Sequence, residues 1–285
     1  MGSRGLGLSA LPGDCMDNVL SLALTGPRDT CRLSVISSWF WSALKSDAVW
    51  QKYLPPDYES MLARSTDPPV FSSLKDLYFS LCDNPILIDD AKLSFWLDKS
   101  TGKKCYMLCA RNLMISWGDT PRYCKWTSEP ECRFGEAAEL ISVCWLEIRG
   151  KISASLLSPA TLYSAYLVFQ LTTKTYRFDD QPVDVSIGLA GAESPTRSVY
   201  LDAGRGQRQR YQTGRRRIRL LSQRYVSGMH PTERKDGWFE IELGEFYNKK
   251  GEEGEIETSV LEIKVLFGKR RLIVQGIEIR PKEGK

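Results

Sequence analysis

The sequence predicts an α+β multidomain chain: a small N-terminal helical bundle over residues 9–54, a helical connector over 55–93 and an all-β antiparallel sandwich, jelly-roll-like, over 94–282. Three observations carry this. Before Pro55-Pro56, apolar residues recur at helical spacing between residues that cap helices. After Leu93, short apolar runs alternate with turn residues and no long helix intervenes. Between the two, one helical run is bracketed by the breakers Asp67-Pro68-Pro69 and Asp83-Asn84-Pro85.

Asp14 sits where it can cap a first helix running through Val19 and Leu22. Gly26-Pro27 stops that helix, and Pro27 suits the first turn of the next, Arg28 to Ile36. Ser37 and Asp47 occupy cap positions for two further short helices, with Phe40, Trp41, Leu44, Val49, Trp50 and Tyr53 apolar between them. So small a bundle buries little area and needs a neighbour or a partner; the competing reading is a helical lid on the domain that follows. Ser72 to Cys82 has helical spacing of Leu74, Leu77, Tyr78 and Leu81. Ser94–Asp98 and Lys104–Cys109 then flank Lys99-Ser-Thr-Gly102, a hairpin signal. Strands are expected at 140–148, 164–172, 183–189, 197–201, 238–243, 260–267 and 272–279, with a helical turn at 134–139.

Bulk properties exclude several classes. No run approaches the roughly 18 apolar residues of a membrane span, and the N-terminus lacks a signal-peptide apolar stretch, so a cytoplasmic or nuclear protein without a membrane partner is expected. The eight cysteines then read as reduced thiols. There is no C-x-x-C pair, and His230 is the only histidine; no metal, cofactor or His-based catalysis is expected. The net charge of +4 hides a local cluster: eight arginines lie between Ala203 and Thr232, a stretch without an acid. Arg215 to Arg219 could serve as an import signal or an anion contact, or be a solvated loop, and with the cation so confined a nucleic-acid partner is not expected.

The residues from Leu113 to Trp126 are the candidate binding segment. They begin as an apolar strand, break at Gly118 to Pro121, and then present Tyr123 and Trp126 in a polar context. A ring left facing water can stack on the C–H face of a sugar or on a base; the alternative is that Trp117 and Trp126 plug the end of a sandwich.

Two resemblances join these features. Leu11-Pro12-x-Asp14-Cys15, Val19-Leu20-Ser21-Leu22, Pro27-Arg28-Asp29, Cys31-Arg32-Leu33-Ser34-Val35 and Trp50-x-x-Tyr53-Leu54-Pro55 resemble the F-box over its full length. The likeness implies docking on the SKP-type adaptor of an SCF cullin-RING ubiquitin ligase, with Leu11, Pro12, Val19, Leu20 and Leu33 as the docking face. The region 94–282 is similar to the phloem lectins (phloem protein 2 and Nictaba). Cys105–Leu113, Ile115–Pro121, Val143–Lys151, Tyr166–Phe169, Asp236–Phe246 and Gly276–Pro281 carry that likeness. It implies a site for GlcNAc oligomers or glycoproteins in which Trp117 supplies a stacking ring and Glu255 and Glu262 supply acceptors. The family's second tryptophan is Cys124 here, and a thiol offers no stacking face; Trp126 can replace it only if the segment is extended.

Together these imply the substrate-recognition subunit of a ubiquitin ligase that binds GlcNAc-containing glycans on target glycoproteins, not an enzyme. An alternative is a β domain that has lost sugar binding and grips a protein surface. A glycosidase using Glu255 and Glu262 is a third reading, opposed by seven residues of extended chain, roughly 23 Å, between two acids that must stand within roughly 10 Å.

Overall fold

A computed structural model describes residues 26–34, 41, 45–176, 182–202, 230–263 and 270–282. Its described residues fall into two compact units, one running to Asp90 and including Phe95–Cys105, the other comprising Ala91–Ser94 and the chain from Tyr106 onward. The hairpin Phe95–Cys105 thus belongs with the helices, although its composition is that of a strand region. Of the expected helical bundle, Leu11, Pro12, Val19 and Leu20 lie outside the described residues, as does the side chain of Leu33.

In the first unit, α1 (Pro27–Ser34) starts at the expected proline, followed by α2 (Asp47–Gln51), α3 (Tyr58–Ala63) and α4 (Leu74–Asp83). Ser73 caps α4, its hydroxyl accepting from the Asp76 amide at 3.1 Å. Asp47 does not cap α2 as expected: its carboxylate accepts from the Leu74 amide at 2.8 Å and ties α2 to the start of α4. Trp50 is buried and packs on Tyr78 and Phe79 with ring centroids 5.4 and 5.2 Å apart. The end of the expected bundle and the expected connector therefore share one core, with Val49, Leu54, Met61, Leu77 and Leu81, and the small helical run gains the neighbour its size requires. Strands β1 (Ile86–Ile88), β2 (Leu93–Leu97) and β3 (Lys104–Cys109) follow, and the β2–β3 turn closes as the sequence indicates, with Gly102 at φ 70°.

The second unit is a sandwich of two antiparallel sheets, as the alternating strand pattern predicts. Its strands are β4 (Met114–Ile115), β5 (Cys124–Thr127), β6 (Ala137–Leu140), β7 (Leu146–Ser153), β8 (Thr161–Tyr176), β9 (Val183–Leu189), β10 (Thr196–Val199), β11 (Thr232–Glu233), β12 (Phe239–Asn248), β13 (Glu255–Glu262) and β14 (Arg270–Pro281). One sheet has the order β3-β14-β8-β12-β11, with β6 also on β14 and β5 on β6; the other has the order β10-β9-β13-β7-β4. Two expectations fail between 134 and 148. The expected helical turn is instead strand β6, and the expected strand from Leu140 is broken at 141–145 before β7 begins. Pairing of Ala138–Leu140 with Leu272–Val274 outweighs local preference there.

Alternation settles which residues fill the sandwich. Leu146, Ile148 and Ile152 of β7, Ile256, Thr258 and Val260 of β13, and Val183, Val185 and Ile187 of β9 are buried. They meet the apolar face of the other sheet: a Cβ on Gly150 would stand 3.0 Å from Leu108 of β3. Gly276 marks a register shift in β14, and a Cβ there would lie 2.1 Å from the Leu108 carbonyl oxygen, so only glycine fits.

Beside the first sheet lies a largely buried charge network. Arg234 pairs with Glu240 and Glu278 at 2.8 and 3.2 Å, and Arg280 bridges the same two acids. Glu278 has 3% of its side chain exposed, so its charge is tolerable only with both guanidiniums present. Burial alone would raise the Glu240 carboxyl, but Arg280 and Arg234 outweigh it and hold it below its ordinary value. A carboxyl lowered in the folded state stabilises fully above that ordinary value of 4.5, and the contribution is lost as pH falls below it. Glu278→Ala should destabilise the fold by about 3 kcal/mol, because it leaves two largely shielded guanidiniums to share Glu240, with Glu278→Gln milder. Urea denaturation of the full chain reads this as a lowered midpoint, and an unchanged midpoint would refute the account.

Candidate functional site

Trp117 lies in the loop that leaves β4. The turn is closed by Gly118 N–H to the Ile115 carbonyl (2.9 Å) and Thr120 N–H to the Trp117 carbonyl (3.0 Å). Trp117 itself has φ 66°, the left-handed region that bulky residues avoid at a cost of order 1–2 kcal/mol. The ring that this backbone presents is 47% exposed, which removes burial as the reason for its presence.

The second ring is supplied by Trp145. Its indole is 40% exposed and lies nearly parallel to that of Trp117, with centroids 6.3 Å apart and 22° between planes. Tyr123 packs on the other contact of Trp117, at 5.4 Å and tilted by 52°. Three rings thus form a platform; the sequence indicated Trp117 and Tyr123 of these, with Trp126 where the structure places Trp145. With Leu146, Ile148 and Ile152 of β7 turned inward, Glu147, Arg149 and Lys151 face out, and Trp145 stands exposed in the bend just before the strand.

That outward row continues with charged residues. Ser116 donates its hydroxyl to Glu147 at 2.9 Å, Arg149 pairs with Glu147 at 2.9 Å and with Glu257 at 2.7 Å, and Lys151 pairs with Glu255 at 3.3 Å. The Arg149 guanidinium, against some burial and with help from Ser116, holds the Glu147 carboxyl below the usual carboxylate range, so at neutral pH it is an acceptor only.

The remaining expected residues separate. Glu255 and Glu262 stand at opposite ends of β13, paired with Ser153 and Leu146. Seven positions apart, they also face opposite sides of the sheet: Glu255 is exposed, whereas Glu262 points inward with Ile256 and Val260 and is 5% exposed. They do not form one site. Glu262 lies at the Trp145 end of the sheet but on its inner face, and the acid beside the rings on the outer face is Glu147. The same geometry removes Glu255 and Glu262 as a glycosidase pair. Cys124 is buried, and Trp126, two residues along the extended β5, shares its orientation. The indole of Trp126 is covered by the Arg111 guanidinium at 3.6 Å, which is itself held by Glu136 at 2.9 Å. Among the described residues no ring of the platform packs against Trp126, and the indole that stands beside Trp117 is that of Trp145.

Trp117→Gly should be more stable than Trp117→Ala by about 1 kcal/mol, since only glycine adopts the positive φ without strain. Equal denaturation midpoints for the two variants would mean the backbone is relaxed.

Residues 103–281 match the family Phloem protein 2. An Arabidopsis thaliana F-box protein is 49% identical over 271 residues, covering 95% of this chain and 79% of its own length. F-box protein PP2-B10 of the same organism is 45% identical over 274 residues, covering 95% and 93%. Among solved structures, a Podospora anserina β-(1,4)-mannanase with a CBM35 module aligns at TM-score 0.33 and 8% identity over 64% of this chain and 28% of its own, too low a score to bear on function. The chain belongs to the phloem protein 2 family, among relatives that are F-box proteins of the PP2-B group.

Proposed function

We propose that this protein is the substrate-recognition subunit of an SCF-type cullin-RING ubiquitin ligase, working in the cytoplasm and nucleus. Its F-box docks on the SKP-type adaptor, and its β domain holds GlcNAc-containing glycans of target glycoproteins. The docking half rests on the Leu11-Pro12 entry and its spacing to Val19, Leu20 and Leu33, together with relatives named as F-box proteins. The glycan half rests on one observation: two exposed, nearly parallel indoles, with a tyrosine beside them and an ionised Glu147 on β7 held by Ser116, the residue before Trp117.

That arrangement suits a sugar ring in two ways. Indole faces offer C–H stacking, and an acceptor-only carboxylate takes charge-assisted hydrogen bonds from ring hydroxyls. The second reading, a β domain that grips a protein surface, draws on Cys124 in place of the family tryptophan. Trp145 weakens it, because the platform keeps a second ring.

The two halves separate experimentally. A Leu11→Ala/Pro12→Ala variant should lose the adaptor in a pull-down yet bind glycan normally. Trp117→Ala and Trp145→Ala should keep the adaptor and each weaken GlcNAc-oligomer binding up to roughly tenfold, the value of one aromatic contact. A glycan array on the wild-type chain with no signal above background, alongside intact adaptor capture, would favour the protein-surface reading.

A further inference from the structure

The outward face of the second sheet does more than carry the rings. Beyond the platform, the outer positions of β7, β13 and β9 and the loop after β9 enclose a cleft of about 310 Å³, lined by Arg149, Asp184, Ser186, Ala192, Glu257 and Ser259. That volume lies within the range of small-ligand sites. Its chemistry is mixed, mostly polar, with Leu189 and Leu261 as apolar patches beside the hydrogen-bonding groups. Asp184 and Glu257 accept, Arg149 donates, and the Ser186 and Ser259 hydroxyls, 2.7 Å apart, can do either.

This set discriminates between ligand classes. An anion would meet two carboxylates against one guanidinium, and that guanidinium is already shared between Glu147 and Glu257. An apolar ligand would desolvate charged groups without replacing their hydrogen bonds. A polyhydroxylated chain matches it, because adjacent hydroxyls each donate and accept.

The cleft and the platform are on one face by pairing. Arg149 is opposite Ser259, and Ser259 is opposite Ser186, so the cleft crosses β7, β13 and β9. Trp145 stands just before β7, whose outer positions Glu147 and Arg149 lie roughly 7 Å apart along the strand, and β9 is two strand spacings away, roughly 10 Å. A single sugar ring on the indoles cannot reach that far.

We propose that this cleft is a second sugar subsite, so that the face binds an oligosaccharide running from the Trp117–Trp145 platform across β7 and β13 to β9, and not a terminal monosaccharide. The proposal rests on the glycan reading above and specifies the length of ligand that site takes. Calorimetric titration of the full chain with chitobiose through chitohexaose tests it. Wild-type affinity should climb with oligomer length. Ala192→Leu, which fills the cleft from an exposed loop, and Asp184→Asn, which keeps its shape but removes a charged acceptor, should each leave chitobiose affinity unchanged. Both should cut the advantage of the longest oligomer by roughly tenfold, the equivalent of one charge-assisted hydrogen bond. If chitobiose and chitohexaose bind the wild type equally, or both variants retain the full climb, the second subsite is overturned while the glycan reading stands. If no oligomer binds the wild type, the glycan reading itself fails, and the subsite with it.

Discussion

The two-residue alternation of β7, held in register between β13 and β4, is the constraint on which the rest of the site depends. Eight consecutive pairings from Glu255–Ser153 to Glu262–Leu146 lock it. A slip of one residue would turn Leu146 and Ile148 to water and bury Glu147 and Arg149, an exchange no nearby group could compensate. The apolar filling of the sandwich thus fixes the outer row, Glu147, Arg149 and Lys151, as a consequence, with Trp145 in the bend just before it. Recognition chemistry on one face is positioned by hydrophobic burial on the other.

Against that rigid row stands a loop that carries strain. Trp117 holds a left-handed backbone for the sake of a ring that is half in water, so neither local preference nor burial accounts for it. Its neighbours stabilise the arrangement: Gly118, Thr120 and Tyr123 close successive turns, and Ser116 bonds to Glu147 through both its amide, to the carbonyl at 3.0 Å, and its hydroxyl. The strained residue is therefore clamped to the outer row by its own predecessor. Strain held in this way is typical of sites that must present a group in one orientation.

The charged residues of the β unit divide into two populations with different physical roles. Arg234, Glu240, Glu278 and Arg280 are mostly shielded from water, and their mutual pairing is what makes their burial tolerable. Glu147, Arg149, Lys151, Glu255 and Glu257 form an open ladder whose pairs contribute little to stability, because water and salt screen them. What the ladder does instead is hold carboxylates directed along a surface beside exposed rings, and its Arg149 keeps the Glu147 carboxyl below the usual range.

Much of this was legible in the residues. Short alternating runs identified the antiparallel sandwich, Pro27, the apolar spacing of Ser72–Cys82 and the Lys99–Gly102 turn placed local elements, and the spacing of motifs identified the phloem protein 2 family, because each of these signals is local or ordered along the chain. The site was only half legible. Trp117 came from the likeness to the phloem lectins and Tyr123 from its polar surroundings, but Trp145, Glu147 and the cleft were not found, and Glu255, Glu262 and Trp126 were grouped with Trp117 although the fold separates them. The reason is parity: seven residues along a strand change both the end and the face of a sheet, while Trp117 and Trp145, distant in sequence, meet because β4 pairs with β7. Residue type and order determined what kind of chain this is; which rings and acids share a surface was decided by the strand register, which no single segment encodes alone.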